Sequence, residues 1–212
     1  MSRPIKAVVF DWNGTLLDDL DFSVRLLNDL LAESGHDSVS KQRYTEIFGF
    51  PIRDYYERAG FDLKKEDYAT LADKYMPWYL DGYKTNCRIH DGAIEFLTRC
   101  KKMGIKVALL SVTKDEYLAP QLAAFGLSGM FDRVMGLDDH YGRGKEALAE
   151  RLIKELGVDA RDVLFVGDTM HDFDVASSVG AQCALINHGH QSKQRLLTKT
   201  ERVVDTFAEI IL

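Results

Sequence analysis

Short, unbroken apolar runs alternate with amphipathic segments along most of the chain. The runs are Ala7-Val8-Val9-Phe10, Val107-Ala108-Leu109-Leu110, Val163-Leu164-Phe165-Val166 and Cys183-Ala184-Leu185-Ile186. None alternates apolar with polar residues, the pattern expected of parallel strands covered on both faces. Between them, a helical period brings Ala93, Phe96, Leu97 and Cys100 onto one face, in a segment starting near Asp91. A second helix is expected from Thr113, where Thr113 and Glu116 have the spacing of a capping box. A third presents Leu148, Leu152 and Leu156 and stops at Gly157. Strands alternating with helices of this length predict an α/β fold, a doubly wound, mainly parallel, Rossmann-like sheet with right-handed crossovers.

The rhythm breaks after the first strand. Leu20, Val24, Leu27 and Leu31 share a helical face, and an aromatic-rich stretch runs from Tyr68 to Tyr83, with no convincing buried strand. Residues 17–87 are therefore expected to form a helical cap subdomain inserted into a core domain of residues 1–16 and 88–212. Tyr75, Trp78, Tyr79 and Tyr83 either line a substrate pocket or form plain core, and helical spacing favours core.

Composition narrows the function classes. The chain has 212 residues, 46% of them apolar and 28% charged, as in an ordinary soluble globular protein. Its net charge is −6, with both signs interleaved, which argues against nucleic acid as a partner. No apolar stretch is long enough to span a bilayer, and the start of the chain has no signal pattern, so no membrane partner is expected. Cys87, Cys100 and Cys183 are scattered and odd in number, against a disulfide framework or zinc site. A cytoplasmic protein is expected, monomer or homodimer.

Candidate chemistry collects where such a sheet binds ligands, beyond the carboxyl ends of its strands. The first strand ends at Asp11, the second at Ser111 and a later one at Asp168, while Lys145 precedes the helix after the Phe131–Met135 segment. Two acids, a hydroxyl and an amine thus converge from four distant parts of the chain. Lys114 and Arg143 compete with Lys145 for the amine's place, and the residues alone leave that choice open. Thr15 reads as a turn stabiliser. His171 either faces substrate or is an exposed helix-start residue. His188 and His190 sit in a glycine-containing loop without a partner at metal-ligand spacing, and neither is assigned.

Asp11-Trp12-Asn13-Gly14-Thr15-Leu16 resembles the D-x-D-G-T-L signature of haloacid dehalogenase-superfamily phosphatases, and Gly167-Asp168-Thr169-x-x-Asp172-x-x-x-Ala176-x-x-x-Gly180 is similar to that family's acidic motif. Ser111 and Lys145 stand where the family has its other two motifs, Lys145 after the Asp138-Asp139 turn as in the family. The resemblance covers the whole chain, helical cap included, and is strongest toward phosphoglycolate phosphatases. It implies a magnesium-dependent phosphatase acting on a small phosphorylated metabolite, with Asp11 as the nucleophile that forms an aspartyl-phosphate. Asp11, the backbone carbonyl of Asn13 and Asp168 would bind Mg2+, with Asp172 in support. Lys145 would neutralise the phosphate and hold Asp11 ionised. Ser111, with backbone amides such as those of Gly14 and Val112, would bind phosphate oxygens. Arg53, in the cap, is a candidate contact for an anionic substrate, and equally a solvated helix charge.

Asn13 departs from the family. The second acid of the signature acts there as general acid and base, and an amide cannot donate and regain a proton at neutral pH. Such help is typically worth about 10² to 10⁴ in rate. Asn13→Asp is accordingly expected to raise turnover. An alternative follows from the same residue: a catalytically weak or silent protein that binds magnesium and phosphorylated ligands.

Overall fold

The computed structural model of the protein describes residues 3–137 and 144–212. At its centre β1 (Ala7–Phe10) is wholly buried, as its unbroken apolar run requires. It pairs in parallel with β4 (Lys106–Lys114) on one side and β6 (Val163–Gly167) on the other. β5 (Arg133–Leu137) extends the sheet beyond β4, and β7 (Gln182–Ile186) and the short β8 (Val203–Val204) extend it beyond β6. Every pairing in this six-stranded sheet is parallel.

Alternate residues of each strand serve two cores. Val8, Phe10, Val107, Leu109, Leu164 and Val166 pack with residues of α5 (Ala93–Lys102) and α6 (Asp115–Ala124). Ala7, Val9, Ala108, Leu110, Val163 and Phe165 pack with α7 (Lys145–Leu156) and α8 (Met170–Ser178) on the other face. The period-2 geometry of a strand and cover on both sides explain why polar alternation is missing.

Four helices lie between β2 (Leu17–Asp18) and β3 (Arg88–Ile89): α1 (Leu20–Glu33), α2 (Lys41–Ile47), α3 (Ile52–Ala59) and α4 (Tyr68–Asn86). They share a core built on Leu27, Leu30, Leu31, Tyr44, Tyr55 and Tyr56. The two crossings into this helical segment run side by side, because β2 and β3 pair antiparallel. Arg88 Nε donates to Asp18 Oδ2 across them at 3.0 Å.

Two local expectations are corrected. β4 does not end at Ser111 but continues to Lys114, where it is still paired with β5, so α6 begins at Asp115 and lacks a side-chain cap. The capping box forms instead at Thr169 and Asp172, at the start of α8. The aromatic stretch divides. Tyr83 is buried and Trp78 packs on the helical core, whereas Tyr75 and Tyr79 line a cavity.

Candidate active site

β1 and β6 are adjacent and parallel, so the residues that follow them, Asp11 and Asp168, emerge at the same sheet edge. Asp172 returns to that edge from the first turn of α8. Its Oδ2 accepts from the Thr169 amide at 3.0 Å and from the Thr169 hydroxyl at 2.6 Å, which fixes the carboxylate. One oxygen from each of Asp11, Asp168 and Asp172 lies within 4.8 Å of the others, close enough for one ion to touch all three. Glycines, Gly189 beside Asp168 among them, permit this crowding. Gly14 has φ +72°, and a Cβ there would collide with Asp168 and His190; one on Gly167 would collide with Asp172.

Lys145, the first residue of α7, is almost fully buried. Its Nζ donates to Asp11 Oδ1 and to Asp172 Oδ1, each at 2.7 Å. Burial opposes its charge, but the two acids outweigh burial and push its pKa above the ordinary lysine value. Burial raises Asp11 to about 7; Lys145 counters it, and Asp172 and Asp168 add to it. Asp168 is raised to about 6, again chiefly by burial. Burial would also raise Asp172, yet the Lys145 charge holds it below the usual carboxylate range. One ammonium faces three acids, an electrostatic deficit that a divalent cation would remove.

A second buried network, which the sequence alone leaves unseen, adjoins these acids. Asp19, preceding α1, accepts four hydrogen bonds. Oδ1 takes the Gly14 amide at 2.9 Å and His190 Nε2 at 3.0 Å; Oδ2 takes Asn13 Nδ2 at 2.8 Å and the Tyr79 hydroxyl at 2.7 Å. Burial works to raise Asp19, but His190 lowers it below its ordinary value overall. Burial alone would depress His190; Asp19 lifts it to about 9. His190 Nδ1 meets the Tyr44 hydroxyl at 3.0 Å, and the His190 amide donates to Asp168 Oδ2 at 2.7 Å. Thr15, expected only to stabilise the turn, donates its hydroxyl to Asp168 Oδ1 at 2.8 Å.

Asn13 is held by every polar atom of its side chain. Nδ2 donates to Asp19 and to the Tyr79 hydroxyl (2.7 Å), and Oδ1 accepts from the Thr113 hydroxyl at 2.8 Å. That last bond is what Thr113 does in place of capping a helix.

The cavity, of about 200 Å³, is lined by Asp11, Asn13, Asp172 and Lys145 and by residues of the helical segment. Val112 and Lys114 also line it. Ser111 is fully buried, is not among the lining residues, and its Oγ accepts from the Thr113 amide at 3.0 Å. Arg53 is exposed and outside the lining, beside Asp67, so its place as a substrate contact is corrected to a surface charge on α3. Half-buried His171 lies against the Phe50 ring, 4.7 Å between centroids. Arg143 and the Asp138-Asp139 turn lie outside the described residues.

The family model of haloacid dehalogenase-like hydrolases matches residues 8–186, from β1 through β7. The chain belongs to that family. Among relatives of this haloacid dehalogenase-like hydrolase, a phosphoglycolate phosphatase from Mesorhizobium japonicum is 31% identical over 202 residues, covering 91% of this chain and 86% of the relative. An N-acetylmuramic acid 6-phosphate phosphatase from Pseudomonas aeruginosa is 26% identical over 189 residues, covering 88% and 83%. A haloacid dehalogenase-like family hydrolase from Streptococcus pneumoniae shares the fold with a TM-score of 0.82 at 17% identity, covering 97% of this chain and 96% of that one. Family and relatives agree on the activity class, hydrolysis of phosphoric monoesters.

Proposed function

We propose that the protein is a magnesium-dependent phosphatase of small phosphorylated metabolites that works through a covalent aspartyl-phosphate on Asp11. The observation that carries this reading is the Lys145 ammonium, 2.7 Å from both Asp11 and Asp172, beside a third acid at the same sheet edge. Three clustered carboxylates are hard oxygen donors that fit Mg2+. Asp11, Asp168 and Asp172, with the backbone carbonyl of Asn13, would hold it, and when bound it neutralises charge on the phosphoryl oxygens.

In the first step the Asp11 carboxylate attacks phosphorus and the bond to the ester oxygen breaks, the departing oxygen taking a proton from water to leave as the alcohol. In the second, water attacks phosphorus, the Asp11 carboxylate leaves, and inorganic phosphate departs. Lys145 favours the ionised form of Asp11 against the effect of burial and faces the transferred charge. Val112, which lines the cavity, contributes its backbone amide; the Gly14 amide, expected to do the same, is already held by Asp19, and Ser111 braces the Thr113 turn. Residues 17–87 act as a cap that closes over this chemistry.

The alternative, a weak or silent phospholigand-binding protein, is favoured by one observation. Asn13 Nδ2 is already engaged with Asp19 and Tyr79, and the amide in the general acid's place offers the leaving oxygen no transferable proton. Metal-dependent phosphate release from nitrophenyl phosphate, with mass-spectrometric detection of phosphorylated Asp11 after rapid acid quenching, separates the two. Ligand binding without either signal selects the alternative.

A further inference from the structure

The wall that faces the reacting acids is aromatic. Tyr44, Phe48, Phe50, Tyr55, Tyr75 and Tyr79 line the cavity, and its lining is predominantly apolar. The polar ends of these tyrosines are turned to the protein rather than to a ligand. The Tyr44 hydroxyl is on His190, that of Tyr79 lies between Asp19 and Asn13, Tyr75 interacts with Ser23, and Tyr55 with Tyr44. Of these four tyrosines, ring faces and edges are what remain; Tyr56 and Tyr68 line the cavity as well.

Among the described residues, cations are held away from that wall. Arg58 donates to the Ile47 carbonyl and Arg195 to those of Thr45 and Phe48, while Arg53 is exposed. The lining cations are already paired: Lys145 with Asp11 and Asp172, His190 with Asp19, and Lys114, on β4, with Glu116 at 3.6 Å. A second anionic group on the substrate would lose its hydration among rings and next to the Asp19 carboxylate, with no cation among the described residues on the helical wall to compensate. An apolar or aromatic group would exchange water for ring contacts.

We infer that the leaving group is an uncharged, apolar or aromatic alcohol rather than a short hydroxy acid such as glycolate. This specificity deepens the phosphatase reading above and rests on it for turnover, though not for binding.

The test compares esters of similar leaving-group basicity: phenethyl phosphate, hydroxyethyl phosphate and phosphoglycolate. The expected result is a kcat/KM for phenethyl phosphate about tenfold or more above the other two, the scale at which a filled apolar pocket discriminates. Equal or better use of phosphoglycolate overturns the inference. Binding of phenylpropyl phosphonate and phosphonopropionate, measured by calorimetry on the wild-type protein with magnesium, decides the matter without turnover. If nitrophenyl phosphate is not hydrolysed but the aryl phosphonate still binds more tightly, the phosphatase reading fails and the specificity stands; equal affinities overturn the specificity alone. Two half-buried lining residues give variants. Phe50→Ala should erase most of the preference for phenethyl phosphate, and Met76→Lys, which adds a cation to the wall, should shift it toward phosphoglycolate.

Discussion

Asn13 Nδ2 donates to Asp19 Oδ2 across 2.8 Å, inside a site where that oxygen also accepts the Tyr79 hydroxyl. The amide is therefore matched to the acid six positions along the chain. A carboxylate at position 13 would put two like charges at hydrogen-bond distance, and one would have to keep a proton.

The expectation for Asn13→Asp changes accordingly. The single substitution should raise turnover by far less than the roughly hundredfold lower end of general acid–base catalysis, and should destabilise the protein at neutral pH. Asn13→Asp combined with Asp19→Asn restores one donor and one acceptor, and should exceed the single variant, more for alkyl than for aryl phosphates. Because Asn13-Gly14 is prone to deamidation, mass analysis of that peptide must accompany the rates. A single variant as active as the double would show that Asp19 does not restrain position 13.

Asp11→Asn should lower phosphate release by roughly 10³-fold or more while leaving the melting temperature close to that of the parent, since its loss removes the nucleophile but keeps an acceptor for Lys145. Wild-type turnover in this variant would place the nucleophile elsewhere.

Metal affinity should depend on pH. Without metal, Asp11 sits near pKa 7 and Asp168 near 6, so at pH 6 both are substantially protonated. A divalent ion needs them ionised, so its affinity should climb from pH 6 to pH 8 with release of protons. Calorimetry in buffers of different ionisation enthalpy reads both effects. Asp168→Asn should weaken binding and shrink the proton release.

The Asp19–His190 pair should contribute to stability in a defined window. His190 is raised to about 9, so its contribution is complete below the unfolded value near 6.5 and fades as pH rises through 9. Asp19 is lowered, so its part is present above about 4 and is lost at lower pH. In metal-free buffer, the denaturation free energies of the wild type and His190→Gln should differ most near pH 5 to 6 and converge above pH 9.

The helical segment is latched to the loop after β7. Gln191 Nε2 donates to the Phe48 carbonyl at 2.9 Å, the Ser192 amide to the Thr45 carbonyl at 3.2 Å, and Tyr44 meets His190. With both crossings in the β2–β3 ribbon, motion is expected to hinge at Leu17–Asp18 and Cys87–His90. Gln191→Ala should populate a more open form in solution scattering, and vanadate with magnesium should close it. Identical profiles for both proteins, with and without vanadate, would argue for a fixed helical segment.

The sequence by itself determined the sheet, the insert of helices and the acids at the strand ends. A strand buried on both faces must be apolar throughout, as Ala7–Phe10 is, and the Asp11 and Asp168 motifs are local, each set by a few adjacent residues. Only the tertiary structure decided what surrounds them. Asp19 finds His190 across 171 positions and Tyr44 finds the same ring across 146, and no spacing rule reports bonds closed by the path of the whole chain. The same limit applies to neighbours: Asp18 turns outward to Arg88 while Asp19 is buried, a choice made by the β2–β3 pairing. It also applies to Tyr75 and Tyr79, because helical period registers that a face is covered, and a cavity wall and a packed core cover it alike. Thr113 had the local signal for a helix cap, and the parallel pairing of β4 with β5 overrode it.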